Sequence, residues 1–161
     1  MTFKKAIEES KPPLNQAYQP GLQAMGKYSR KVCCVRRENK TLTGSVDVDA
    51  ALARLPEYAS VNRWDYGIGY KPASGNECAV WIEVHGAKDK EVGTLARKAK
   101  WLKEYLKQNA PALWKLTLAS PETLRFVWLG TKSVHIPKNS PEYKRAAMEG
   151  VTLHGTELTL P

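Results

Sequence analysis

Asp65, Glu83 and His85 are the residues whose types and spacing point to chemistry. Asp65 lies in the run VNRWDYGIGY, residues 61–70, and Glu83 and His85 lie in CAVWIEVH, residues 78–85. Side chains alternate along a strand, so Asp65, Gly67 and Gly69 share one face of the first run, with Tyr66, Ile68 and Tyr70 on the other. In the second run Trp81, Glu83 and His85 share a face, and Val80, Ile82 and Val84 lie opposite. A glycine face beside an acid lets a ligand backbone come close. Glu83 is an acid between apolar neighbours, and an ionised carboxylate there is costly unless it is paired or binds a metal. If the two runs are antiparallel neighbours, Asp65 and Glu83 lie close together, and a hard divalent cation relieves their repulsion. Such an ion lowers the pKa of bound water and stabilises a phosphoryl transition state.

The same residues also have plainer readings. Asp65 suits a turn cap or a pair with Arg63 or a lysine. Glu83 suits a buried pair with an arginine or a hydrogen bond to a tyrosine. His85 suits a strand-end histidine satisfied by backbone.

The order of an acid in a strand, a turn, Glu-x-basic in the next strand and then a helix resembles the core of the PD-(D/E)XK nuclease superfamily. The resemblance runs from about Tyr58 to Trp128 and loosely takes in the first helix. It implies a restriction-endonuclease-like core, in which an early helix precedes a meander of strands and a helix and further strand follow. It also implies a phosphodiester hydrolase using Mg²⁺ or Mn²⁺ held by Asp65, Glu83 and the backbone carbonyl of Val84. Glu8 or Glu9, on the first helix, matches the auxiliary carboxylate of the family. Two departures stand out. Trp64 sits where the family often has Pro, and His85 falls at the lysine position. A histidine near its ordinary pKa of about 6.5 is mostly neutral at pH 7 to 8. It is then a poorer charge stabiliser than lysine, and suits a general base or a water-orienting group. Lys88 or Lys98 would supply the missing charge from the following segment.

The elements that must position these groups follow from pattern. A helix is expected from about Lys90 to Gln108, with Asp89 as N-cap. Val92, Leu95, Ala96, Ala99, Leu102 and Leu106 fall on one face at 3.6-residue spacing. Arg97, Lys100, Lys103 and Lys107 fall on the other, with Trp101 and Tyr105 along a flank near Lys98. That cationic face reads either as solvated surface or as a nucleic-acid contact on which Trp101 stacks with bases. Earlier in the chain, Thr2 caps a short helix through Ser10, which Pro12 and Pro13 stop. Residues 11–30 read as irregular. KVCCVRR, residues 31–37, reads as a strand turned at Asn39-Lys40 into a second near Leu42 to Val46. Asp47 or Asp49 caps a helix ended by Pro56.

Beyond the long helix, Leu113 to Ala119 and Leu124 to Leu129 alternate around Ser120-Pro121-Glu122-Thr123, which predicts a hairpin. Ser140 as N-cap, Pro141 at the first helical position and Gly150 past the end bracket a short helix. Val151 to Leu160 adds a final strand or two.

The length of 161 residues fits one domain, and 42% hydrophobic with 25% charged residues excludes wholesale disorder. The net charge of +9 is uneven, because residues 1–41 hold nine Lys/Arg against three acids. An excess of this kind favours polyanions through phosphate neutralisation. Cys33, Cys34 and Cys78 form no CxxC or Cys/His cluster, which argues against structural zinc. An odd cysteine count without an apolar leader suits a cytoplasmic setting, and no run is apolar enough for a membrane. Gly-rich phosphate loops, nucleophile elbows and dinucleotide fingerprints are absent.

The expectation is one α/β domain over residues 1–161, with a mixed sheet (meander plus hairpin) flanked by helices. It would be a metal-dependent nuclease acting on or binding nucleic acid. The alternative is a non-catalytic nucleic-acid-binding or protein-interaction module on the same fold.

Overall fold

The computed structural model describes residues 1–34, 41–73, 75–86 and 89–161, residues 89 and 90 by backbone alone. At its centre is a mixed five-stranded sheet in the order β2-β3-β4-β5-β6. Its strands are β2 (Leu42–Asp47), β3 (Tyr66–Tyr70), β4 (Cys78–His85), β5 (Phe126–Gly130) and β6 (Val151–Leu153). The first three form an antiparallel meander, and β5 and β6 join parallel. β4 is the middle strand, and all but its last residue are buried. That explains its unbroken apolar run: a strand covered on both faces has little reason to alternate.

One face carries Ala79, Trp81, Phe126 and Trp128 against helices. These helices are α1 (Phe3–Glu8), α2 (Val48–Leu52), α3 (Asp89–Asn109), α4 (Pro111–Ala119) and α6 (Pro141–Met148). Three of them start where side-chain caps satisfy orphan amides: Thr2 takes the Lys5 N–H, Asp47 the Ala50 N–H and Ser140 the Tyr143 N–H. The other face carries Ile68, Tyr70, Val80, Ile82, Val84, Val127 and Leu129 against Met25, Val32, Leu158 and Leu160. Part of that cover is a second, two-stranded parallel sheet of β1 (Val32–Cys34) and β7 (Leu158–Leu160). The irregular region is partly ordered as 3-10 turns over Leu14–Gln16 and Gln23–Lys31. Among the described residues no helix is long and apolar enough to cross a membrane.

Three expectations are corrected. The hairpin over Leu113–Leu129 does not form: residues Pro111–Ala119 are helix α4, the short helix α5 (Glu122–Arg125) follows, and β5 pairs parallel with β4. Leu113, Leu116, Thr117 and Ser120 are buried, a spacing of three, four and seven that the apparent alternation hides. Trp81 Nε1 donates to Thr117 Oγ1 at 2.8 Å, fixing that helical face to the sheet. Secondly, β1 pairs with β7 rather than with β2; the Asn39-Lys40 turn lies outside the described residues. Thirdly, the glycine face of β3 is not open to a ligand. A Cβ at Gly67 would lie 2.5 Å from the Trp81 ring, and one at Gly69 would lie 2.3 Å from Phe3 Cγ. The glycines let core aromatics, not a ligand, approach the backbone.

Candidate active site

The antiparallel register of β3 and β4 pairs Tyr66 with Ile82 and Gly67 with Trp81. Continued one residue, it sets Asp65 opposite Glu83 on the helix-covered side of the sheet. Asp65 is held there from both sides. Trp64 before it is fully buried, edge-on to Phe126 with centroids 5.9 Å apart. The Asp65 carbonyl accepts the Val48 N–H at 2.9 Å, where α2 begins. Its side chain and backbone then close a double link to β4. Asp65 Oδ2 accepts the Val84 N–H at 3.0 Å, and the Asp65 N–H donates to Glu83 Oε2 at 3.0 Å.

Glu83 is completely buried, and its second oxygen meets an ammonium and an imidazole. Lys98 Nζ, from the inward face of α3, donates to Glu83 Oε1. His85 Nε2 lies 2.5 Å from the same oxygen and 3.1 Å from Lys98 Nζ. One ring nitrogen cannot both donate to Glu83 and accept from Lys98. The shorter contact assigns Nε2 as donor to the carboxylate, with the ammonium as a neighbouring charge.

The electrostatics of this cluster are unequal. Burial, reinforced by the Glu83 charge, pushes the Asp65 carboxyl up to about 7, against the opposing pull of Lys98, the Val84 N–H and His85. The His85 imidazole also rises from its ordinary value, chiefly through its hydrogen bond to Glu83, which outweighs burial and the nearby Lys98. His85 therefore holds its proton better than an unperturbed histidine.

The N–H and C=O of one strand residue face the same neighbouring strand. The Val84 carbonyl is therefore turned to the Asp65 side, as its N–H is. Asp65, Glu83 and that carbonyl supply the hard donors that Mg²⁺ or Mn²⁺ takes. Among the described residues no group of three His, Cys, Asp or Glu side chains could by itself hold a metal ion.

The remaining candidates are scattered. Glu8 and Glu9 are exposed and pair within their own helix, with Lys4 at 3.8 Å and Lys5 at 3.9 Å, so the auxiliary acid is not delivered to the cluster. Lys88 lies outside the described residues. Arg63 goes to Asp49 at 2.9 Å and to the carbonyls of Tyr58 and Ala59 rather than to Asp65. Of the cationic face, Arg97, Lys100 and Lys107 are exposed, but Lys103 is tied to Glu149 Oε2 at 2.7 Å. Lys107 Nζ stands 5.0 Å from the Trp114 ring centroid. Trp101 is not a free stacking platform: it is half-buried, stacked on Tyr105 at 5.3 Å and edge-on to Tyr58 at 6.1 Å. Glu91, in the first turn of α3, stands over the Gly86 backbone, a juxtaposition set by helix docking for which the sequence has no motif. Compared with known protein families, curated proteins and solved structures, the chain matches none.

Proposed function

We propose that this protein is a metal-dependent phosphodiesterase acting on nucleic acid, of the PD-(D/E)XK type. The observation that carries the reading is the meeting of Asp65 and Glu83 at one point beside Lys98, with the Asp65 carboxyl pushed up to about 7. Two acids forced together in this way bind a divalent cation in exchange for protons. The order of a helix, an antiparallel meander, a long helix and a parallel strand also supports it. So does the net charge of +9, which suits a polyanionic substrate.

Bound at the carboxylates, Mg²⁺ or Mn²⁺ would supply an activated water and neutralise charge on the phosphoryl oxygens. The chain's own groups do the rest. Lys98 Nζ, reaching from α3, takes the charge-balancing role expected of the lysine that His85 replaces. The His85 imidazole is raised above its ordinary value, chiefly by its hydrogen bond to Glu83, a direction that suits proton donation better than the general-base role its sequence position suggests. Arg97 and Lys100, on the outer side of α3, bear on the phosphate backbone.

The test is cleavage of plasmid and of single-stranded oligonucleotides with Mg²⁺ or Mn²⁺. Asp65→Asn and Glu83→Gln, checked for folding by circular dichroism, are expected to lower the rate at least about 100-fold. Cleavage unchanged in both variants removes the assignment. A second reading is favoured by one observation, the neutralisation of buried Glu83 by Lys98 as in a structural ion pair. It is a nucleic-acid-binding module without turnover, and steeply salt-dependent binding with no cleavage by the wild type would establish it.

A further inference from the structure

Next to the acid cluster, at the C-terminal ends of the parallel strands β4 and β5, is an open cleft of about 700 Å³. It is lined by Val84, His85, Gly86, Glu91, Thr131, Lys132 and Ser133. His85 belongs to both places, since its imidazole touches Glu83 and Lys98 and also forms part of the cleft wall. Glu91 and Lys98 are seven residues apart on α3, about two helical turns, and so share a face. The cleft therefore continues the line of the cluster towards the first turn of α3.

Glu91 Oε2 is buried and has no hydrogen-bond partner among the described residues. Gly86 leaves it room, since a Cβ there would lie 3.0 Å from that oxygen and 3.8 Å from Thr131 Oγ1. A buried acceptor without a donor is costly, and such groups mark places where a ligand completes the bonding. The sign of Glu91 narrows the ligand. A carboxylate repels phosphate, so the inner part of the cleft does not take the nucleic-acid backbone. It asks for an uncharged group that donates hydrogen bonds, with the Thr131 and Ser133 hydroxyls able to serve either way. A cleft of this size accommodates a nucleoside.

We propose that this cleft receives an unstacked nucleobase flanking the scissile phosphate, and that Glu91 reads its exocyclic amino group. The inference rests on the phosphodiesterase reading for the kind of polymer bound, but not on catalysis. Cytosine and adenine present an amino donor that thymine lacks, and an acidic side chain accepting from such an amine is a recurrent base contact. Lys132, at the rim, stands where it would meet the adjoining phosphate.

The experiment measures binding of labelled oligo(dC), oligo(dA) and oligo(dT) of equal length by fluorescence anisotropy. It uses the full chain at low salt with EDTA present, so that loss of catalysis leaves the readout intact. Oligo(dC) and oligo(dA) are expected to bind about tenfold tighter than oligo(dT), the effect of one charge-assisted hydrogen bond. Glu91→Ala is expected to erase the difference between the three oligonucleotides. Glu91→Gln, whose amide also donates, is expected to raise oligo(dT) affinity towards the other two. Equal affinities in the wild type, or a preference that survives Glu91→Ala, overturn the proposal. So does a difference that appears only between deoxy- and ribo-oligonucleotides, which assigns Glu91 to the 2′-hydroxyl. Binding without discrimination, or no binding to any oligonucleotide, sinks the base pocket alone, and the cleavage assay with Mg²⁺ or Mn²⁺ decides the phosphodiesterase reading separately. A Glu91-dependent preference without any cleavage leaves the pocket standing and removes only the catalysis.

Discussion

Helix α3 makes two lysine–glutamate pairs, five residues apart, and they are unlike in every respect that matters. At Lys103, the partner Glu149 follows α6, the side chains are 23% and 32% exposed, and among the described residues no third group forms an ion pair with either. At Lys98, the partner Glu83 is fully buried, and Asp65 and His85 crowd the same carboxylate. The first pair straps two helices together in reach of water. The second holds charge inside the fold, where Glu83 raises both the Asp65 carboxyl and the His85 imidazole. A lysine on this helix thus acquires its role from the strand it faces rather than from its own place in the amphipathic pattern.

Breaking the pairs measures the contrast. Lys98→Met leaves Glu83 buried without its cation and is expected to cost about 3–5 kcal/mol in urea denaturation. The double variant Lys98→Met/Glu83→Gln is expected to recover most of that loss; no recovery would mean that Lys98 matters through packing. Next in size is a pH effect that only the inner cluster has. An unfolded aspartate titrates near 3.9, whereas Asp65 in the folded chain titrates at about 7. Between those values the folded state keeps a proton that the unfolded chain has lost, so stability falls as pH rises and levels off above about 7. Asp65→Asn is expected to flatten that slope in urea midpoints taken from pH 4 to 8. The raised His85 value adds a loss of the same sign, beginning above about 6.5, which the Asp65 variant retains. The smallest change is expected from Lys103→Met, about 1 kcal/mol or less, shrinking further in high salt. A cost there as large as at Lys98 would erase the distinction.

Much of this was legible because it depended on nearest neighbours along the chain. The apolar run 78–85 delimits β4 to the residue, and Thr2, Asp47 and Ser140 cap the helices their side chains suggest. Period-two alternation alone puts Asp65 and Glu83 on matching faces, and the β3–β4 register then brings them together. What could not be read depended on docking. The segment Leu113–Ala119 satisfies both a strand and a helix spacing, and only its hydrogen bond and packing against Trp81 decide between them. The β3 glycines announce a close approach but not what approaches. Lys103 looks as free as Lys100 until α6 brings Glu149 alongside, and Glu91 has no meaning in sequence until the strand ends stand opposite it.

The small β1–β7 sheet has a consequence for biosynthesis. Val32 pairs with Leu158, and Thr159 meets Cys33 across 126 positions. While the polypeptide is still being made, Val32 must wait without its strand partner until the ribosome has released residues 158–160. A polypeptide interrupted shortly before that point would therefore leave Val32–Cys34 without its partner strand, so the defect is felt 126 positions upstream of the missing residues.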